Sequence, residues 1–274
     1  MAGSKHTAGG GRIVSWFSCG AASAVATKLA IQNADGREVV IAYCDTFKRE
    51  HPDNKRFFAD CERWFGQKVL VLANDEYERD PDVVFRKTRF LVGPNGARCT
   101  SELKRSVRLG FQRPDDIVIL GYTAEEFEKR HVRTAESEPL VNFWPILHER
   151  GLTKDDCLAM IERAGIELPA MYKLGYRNNN CIGCVKGQAG YWNKIRVDFP
   201  ERFAEMAAIE RELGRAICKR EWTENGVRRL ERIPLDRLPP DLGHYPSEPD
   251  ISCGIICQSA SIEIEDCDAA EEAA

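Results

Sequence analysis

"RIVSWFSCGAASAVATKLAIQ", residues 12–32, decides the fold class. It begins with a short apolar run, which is typical of a strand buried on both faces. It ends in alanines and aliphatic residues, which are typical of a buried helix. Between the two, residues 17–23 form a turn of small residues. A strand that passes through such a turn into a helix predicts an α/β fold, with the turn at the carboxyl edge of a parallel sheet.

The rest of the first half repeats this alternation. Apolar runs at residues 38–45 (EVVIAYCD), 68–73 (KVLVLA), 116–121 (DIVILG) and 140–146 (LVNFWPI) lack a polar alternate face, as expected of buried parallel strands. Residues 51–66 lie between the first two of these runs and predict a helix. The pattern as a whole predicts a doubly wound, mostly parallel sheet.

The second half has a different character. Residues 153–165 begin with a threonine cap and two acidic residues, which predicts a helix. Residues 191–214 look helical on both sides of Pro200, which we expect to restart the helix. An Asn-Gly pair at 225–226 separates two β-prone runs and predicts a hairpin. These elements predict a helical and hairpin lobe that carries cysteines.

We therefore expect four successive segments. Residues 1–11 form a flexible N-terminus, residues 12–150 a nucleotide-binding α/β core, residues 151–258 the cysteine-bearing lobe with a catalytic tail, and residues 259–274 a disordered acidic tail. The twelve residues after Ile262 contain six acids and no base, so the rest of the chain is close to neutral. This balance gives no general argument for nucleic-acid binding.

The cysteine content, together with the lack of an apolar signal-peptide core and of a membrane-spanning run, indicates the cellular compartment. The chain has eleven cysteines, no apolar signal-peptide core and no apolar run long enough to span a membrane. We expect a cytoplasmic protein, in which thiols serve metal or redox chemistry and not a disulfide framework. Four cysteines lie in strand or helix patterns and are interpreted as small core residues: Cys44, Cys61, Cys157 and Cys218.

Two stretches carry candidate chemistry. The small-residue turn, with Ser18, Cys19, Gly20, Ala21 and Ser23, is suited to a phosphate or sulfate oxygen at a helix N-terminus, but a tight packing turn would look the same. "YRNNNCIGCVKG", residues 176–187, places two thiols in a polar loop, Cys181 and Cys184. Such a loop is suited to one metal ion or to a cluster iron.

Together these segments resemble the adenosine-phosphosulfate and phosphoadenosine-phosphosulfate reductase family, within the adenine nucleotide α-hydrolase-like superfamily. The likeness is strongest to the reductase-like proteins of phage genomes. It covers residues 12–258 and rests on "VSWFSCGAASAVA", "VIAYCDTF", the run from "PILHERGL" to "NNNCIGC", and "ISCGII" near the C-terminus. The resemblance implies binding of an adenosine phosphosulfate-type nucleotide, with Asp45 at the end of the second strand as part of the site.

The resemblance also implies the reaction and the metal. Cys253 matches the family's nucleophilic cysteine, whose sulfocysteine is reduced by a thioredoxin-like partner or, here, by Cys257. Cys99 matches a cluster-ligand position and would join Cys181 and Cys184. The fourth ligand would be Cys257, Cys253 or a non-protein group. A 4Fe-4S cluster, a zinc ion and a metal-free redox pair all remain possible.

Three positions depart from the family pattern and so limit what the resemblance implies. Ala22 replaces an acidic residue that ATP-splitting members keep, which favours sulfonucleotide chemistry. Ser252 and Ile256 replace a glutamate and a histidine of the family's tail. Two alternative functions remain open: an iron–sulfur-dependent sulfurtransferase that modifies nucleic acid, and a non-catalytic nucleotide- or metal-binding protein.

Basic residues complete the expected site. Arg130 and Arg133 follow a strand end, and Lys104 follows Cys99 within about one helical turn. Guanidinium groups are suited to sulfate and phosphate. A solvated charged helix face would explain each residue equally well, but as a set they favour an anionic substrate.

Overall fold

The computed structural model describes residues 11–93 and 96–251. The strands are β1 (Ile13–Trp16), β2 (Val39–Cys44), β3 (Leu70–Leu72), β4 (Val92–Gly93), β5 (Gly96–Ala97), β6 (Ile117–Ile119), β7 (Asn142–Phe143), β8 (Cys218–Glu224) and β9 (Val227–Ile233). The α-helices are α1 (Ala21–Gln32), α2 (Asn54–Phe65), α3 (Pro81–Thr88), α4 (Arg98–Thr100), α5 (Ser106–Phe111), α6 (Arg133–Ser137), α7 (Ile146–Glu149), α8 (Lys154–Arg163), α9 (Ala170–Lys173), α10 (Ala189–Asp198) and α11 (Pro200–Leu213). Residues Ser101–Arg105 and Phe127–Val132 form π-helical turns.

The central sheet has five strands in the order β3–β2–β1–β6–β7, and every pair in it is parallel. The expected α/β fold with a parallel sheet is therefore confirmed. The chain moves outward from β1 through β2 to β3, and then returns to place β6 on the other side of β1. In such sheets the crevice for a ligand opens where the strand order reverses. Here that point lies between the carboxyl ends of β1 and β6.

Burial explains why the first strand and helix form as they do. All four residues of β1 are buried, because neighbouring strands and helices cover both of its sides. Small residues of helix α1, such as Ala24, Ala26 and Ala30, lie in the same core. Their small side chains let the helix pack closely against the sheet. The four cysteines expected in the core, Cys44, Cys61, Cys157 and Cys218, are all buried, which confirms that interpretation.

The chain forms two compact units that interleave along the sequence. Within the described residues, the first unit holds 11–47, 51–74 and 105–179, and the second holds 48–50, 75–93, 96–104 and 180–251. These units differ from the expected successive segments with a division after residue 150. Residues 151–179 instead belong to the first unit because Cys157, Ile161 and Ile166 enter the core that surrounds α1.

The elements expected in the second half are present. Thr153 caps α8 by accepting a hydrogen bond from the backbone of Asp156, whose carboxylate bonds back to it. Pro200 is the first residue of α11, so the helix does restart there. The hairpin β8–β9 turns at Asn225 and Gly226, both with positive φ (51° and 78°), as a tight hairpin turn requires.

None of the helices within residues 11–93 and 96–251 combines the length and the apolar character needed to cross a membrane. The expected N-terminal segment, apart from Gly11, and the acidic tail lie outside the described residues.

One close backbone contact positions the turn after β1. Gly121 follows β6, and a Cβ atom added to it would lie 2.6 Å from both the Cα and the N of Ser23 in the first turn of α1. Real Cβ atoms do not approach backbone so closely, so only glycine allows α1 to begin this near β6. The width of the crevice between β1 and β6 therefore depends on Gly121.

We expect Gly121→Ala to lower the free energy of unfolding by about 1–3 kcal/mol, because α1 must move away from β6. Urea denaturation followed by circular dichroism measures the change. Gly110→Ala is the matched control: Gly110 lies in α5, and its added Cβ would have no neighbour within 4 Å. A control that matches or exceeds the loss at Gly121 would contradict the packing argument.

Candidate functional site

The turn after β1 gathers backbone N–H groups around one hydroxyl. Ser23 Oγ accepts hydrogen bonds from the backbone N–H of Ser18 (3.1 Å) and of Gly20 (3.4 Å), and donates to the carbonyl of Gly20 (2.9 Å). Cys19 lies between them with φ of 60°, an unusual conformation for a non-glycine residue. The turn is therefore shaped so that successive N–H groups point at an oxygen atom, as in anion-binding loops.

A tyrosine supplies a second oxygen at the start of α1. The hydroxyl of Tyr172 accepts a hydrogen bond from the backbone N–H of Ala21 (3.3 Å). Burial raises the pKa of Tyr172 to about 12, so the hydroxyl stays neutral at physiological pH. Neutral side-chain oxygens thus satisfy the N–H groups of Ser18, Gly20 and Ala21. A phosphate or sulfate oxygen would bind the turn by replacing them.

Asn179, the second of three consecutive asparagines, stabilises this turn through its side chain. The amide nitrogen of buried Asn179 donates to the carbonyl of Cys19 (2.7 Å) and to the side-chain oxygen of Asn54 (2.9 Å). The thiol of Cys19 is itself buried and donates to the carbonyl of Asn54 (3.5 Å). Cys19 therefore serves the turn through its backbone. The role of Asn179 was missed in the sequence, where the run of asparagines indicated only a polar loop.

Other expected nucleotide-site residues have varied surroundings. Asp45 follows β2, and its carboxylate accepts a hydrogen bond from the backbone of Phe47 (3.1 Å). The guanidinium of Arg130 lies 4.1 Å from the ring centroid of Tyr122, the residue after Gly121, and pairs with Glu126. Arg130 thus lies close to the carboxyl end of β6.

The two remaining basic candidates differ from Arg130. The side chain of Arg133 is exposed at the start of α6. Lys104 is half-buried and belongs to the second unit, whereas the turn and Arg130 belong to the first.

The cysteine loop of the second unit is organised by a tyrosine. The backbone N–H of Cys184 donates to the hydroxyl of Tyr191 (2.9 Å), which donates in turn to the carbonyl of Cys181 (3.4 Å). Cys184 is buried and Cys181 is half-buried. A Cβ atom at Gly187 would lie 1.9 Å from the ring of Tyr191, so glycine is required where the loop passes over the ring.

Two arginines, Arg49 and Arg202, also form hydrogen bonds with this loop. The N–H of Ile182 donates to the carbonyl of Arg49 (2.7 Å), and Nε of Arg202 donates to the carbonyl of Ile182 (3.2 Å). Arg202 also forms two hydrogen bonds of 2.7 Å with buried Asp82, and Arg49 pairs with both Asp82 (2.8 Å) and Asp80 (2.9 Å). Breaking a buried ion pair leaves an uncompensated charge, which is strongly destabilising. The two arginines are therefore held in place by their aspartates, and they hold the loop in turn.

The structure does not bring Cys99, Cys181 and Cys184 together as one ligand group. Cys99 instead packs against a small cluster that includes Tyr77 and Leu103. Within residues 11–93 and 96–251, no three His, Cys, Asp or Glu side chains are grouped so that they could hold a metal ion. The loop pair suits a metal by its chemistry, but the described residues supply two thiols and no third.

The chain returns to the cysteine loop just before the proposed catalytic tail. The side-chain N–H of Asn180 donates to the carbonyl of Ile251 (3.0 Å), and Glu248 accepts hydrogen bonds from the N–H groups of Gly190 (2.6 Å) and Tyr191 (2.9 Å) at the start of α10. The described chain therefore ends beside Asn180. The tail candidates Cys253 and Cys257 lie outside the described residues.

Comparisons of the chain with protein-family models, with curated proteins and with solved structures found no match. The likeness to sulfonucleotide reductases therefore rests on the quoted residues and stays a hypothesis.

We expect Asn179→Ala to lower the free energy of unfolding by about 1–3 kcal/mol, because the carbonyl of Cys19 would stay buried without its donor. Asn178→Ala is the matched control. Asn178 is half-buried, and its side-chain oxygen accepts a hydrogen bond from Lys154 (2.6 Å), so this residue does not hold the turn after β1 through Cys19. Urea denaturation of both variants measures the difference. Equal losses would show that Asn179 has no special role in the turn.

We expect the protein, purified without oxygen, to contain iron and acid-labile sulfide, and Cys181→Ser to lose both. The reason is that both sulfurs of a C-x-x-C turn are required as ligands. Elemental analysis and a sulfide assay measure the contents, and Cys218→Ser, a buried thiol of β8, is the control that should keep them. Stoichiometric zinc in place of iron would exclude the cluster, and a metal-free wild type would exclude the site.

Proposed function

We propose that this chain is a sulfonucleotide reductase-like enzyme of the adenosine-phosphosulfate and phosphoadenosine-phosphosulfate reductase family. The observation that carries the proposal is the position of the N–H-lined turn, residues 18–23, at the end of β1 where the strand order reverses. Open parallel sheets bind nucleotides at this point, and the start of α1 adds a favourable dipole for the anionic end of the ligand.

The surroundings of the turn support a nucleotide that is bound without being split at its α-phosphate. Ala22, where an acidic side chain would hold metal and pyrophosphate, packs partly against the core. Asp45 follows β2 and Arg130 follows β6, the two strands that flank β1, at the carboxyl edge of the sheet. Arg130 and Arg133 would pair with the phosphate and sulfate oxygens. An adenosine phosphosulfate, with or without a 3′-phosphate, has the charge and the shape for this arrangement.

The proposed reaction proceeds in two displacement steps. The thiolate of Cys253 attacks the sulfate sulfur, the bond between sulfur and the phosphate oxygen breaks, and AMP or its 3′-phosphorylated form leaves. The enzyme then carries an S-sulfocysteine. A second thiolate, from a thioredoxin-like dithiol protein or from Cys257, attacks the sulfur atom of Cys253 and forms a disulfide. Sulfite leaves with the electron pair of the broken sulfur–sulfur bond.

Cys181 and Cys184 would hold a 4Fe-4S cluster or a zinc ion, which would supply a Lewis-acidic metal centre. The described residues provide only two of its ligands, so no step above depends on it. What the loop contributes without a metal is position, since its neighbour Asn180 holds Ile251 and so fixes the start of the segment that carries Cys253.

We expect Cys253→Ser to abolish sulfite formation while AMP binding and metal content stay unchanged, because its thiolate acts only in the chemical step. Mass spectrometry of the wild type, incubated with adenosine 5′-phosphosulfate but no reductant, should find a sulfonate on Cys253. Cys257→Ser is the matched control and should still form this adduct. Pyrophosphate release from ATP would instead identify a nucleotidyl-activating transferase, and loss of metal in Cys253→Ser would make Cys253 a ligand.

A further inference from the structure

A groove in the second unit is lined by residues that have no role in the proposed function. It has a volume of about 550 Å³, within the range of small-ligand sites. One wall is the aromatic ring of Phe90 with the neighbouring strand β4, and the other is the end of α11 and the loop that follows it. A Cβ atom on Gly93 would lie 2.7 Å from the tip of the Phe90 ring. The ring is thus held over the strand, while 40% of the residue stays exposed.

Two arginines of the groove have no charge partner within the part of the chain that the structure describes. Among the described residues, neither the guanidinium of Arg215 nor that of Arg232 has a hydrogen bond or an ion pair with another residue. Their neighbour Arg211 differs, because it pairs with Asp236. Most other arginines of this unit are paired as well, so two unpaired guanidinium groups in one concave surface leave an unbalanced positive charge.

The acidic residue of the groove does not neutralise this charge. Both carboxylate oxygens of buried Glu210 accept backbone hydrogen bonds, from Ile217 (2.6 Å) and from Leu235 (2.6 Å). Burial raises the pKa of Glu210 to about 7, so the carboxyl group is partly neutral at physiological pH. Its role is to join the end of α11 to the loop after β9, which brings Arg215 and Arg232 to the same groove.

A second hollow that Phe90 also lines is less suited to an anion. It measures about 460 Å³ and contains one arginine, Arg98, which already pairs with Glu102 (2.9 Å). Of these two hollows, the one lined by Arg215 and Arg232 is therefore the better suited to the charged end of an anionic ligand.

We propose that this groove binds a nucleoside phosphate, with the base stacked on Phe90 and the phosphate paired with Arg215 and Arg232. Aromatic side chains that stack on bases and arginines that pair with phosphates combine in this way in many nucleic-acid-binding sites. The same chemistry is presented by a free mononucleotide and by a nucleotide of a single strand. The site is separate from the turn after β1, so it is a second nucleotide site and does not rest on the proposed function.

Isothermal titration with AMP tests the proposal through stoichiometry. If the turn after β1 also binds AMP, the wild type should take up two equivalents and the double variant Arg215→Ala/Arg232→Ala one. If the turn does not bind, the wild type takes up one equivalent and the double variant none. The two proposals therefore fail in distinguishable ways. Equal stoichiometry in the wild type and the double variant would overturn the groove site.

Matched variants separate stacking from charge. Phe90→Leu should weaken AMP binding at the groove about tenfold, because the base loses its stacking partner. Arg220→Ala is the control: Arg220 lies on the hairpin face opposite to that of Arg232, with its guanidinium 5.9 Å from the ring centroid of Trp222, so AMP binding should not change. An unchanged affinity in Phe90→Leu would contradict base stacking.

A ten-nucleotide deoxyadenosine strand distinguishes a free nucleotide from a nucleic acid as the ligand. If the strand binds more tightly than AMP, and if the double arginine variant loses this binding, the ligand is a nucleic acid.

Discussion

The site in the first unit depends on the contact between the backbone of Ser23 and Gly121. It brings the first turn of α1 against the end of β6, at the one point of the sheet where the strand order reverses. Everything proposed for the nucleotide follows from that approach. The N–H groups of the turn converge because Ser23 is held in place, and Tyr172 reaches Ala21 because α1 begins there. If α1 began farther from the end of β6, the same elements would be present without this turn.

Local sequence pattern was enough to predict several of the elements. The bounds of α1 coincide with the run of small and aliphatic residues, and the hairpin turns at Asn225–Gly226 as its sequence requires. Thr153 and Pro200 begin their helices for reasons that involve only neighbouring residues. These features depend on backbone preference and on side-chain period, which a single sequence contains.

What could not be predicted depends on residues far apart in the chain. Asn179 holds Cys19 across 160 positions, and Arg202 pairs with Asp82 across 120. No local pattern contains these partners. The same reason explains why Cys99, which lies within α4, packs against Tyr77 and Leu103 and does not form one ligand group with Cys181 and Cys184 among the described residues. The interleaving of the two units is likewise a product of tertiary packing.

The burial of most described cysteines makes the native thiols chemically unequal. Desolvation raises the pKa of Cys157 and of Cys218 to about 12, and that of Cys61 further, so these groups are almost never thiolates at neutral pH. Thiolates are the species that react with alkylating agents and oxidants. Of the cysteines within residues 11–93 and 96–251, only Cys99 and Cys181 are more than slightly exposed. The fold thus protects its core sulfur from covalent damage, and alkylation of the native protein is directed to the few thiols that solvent reaches.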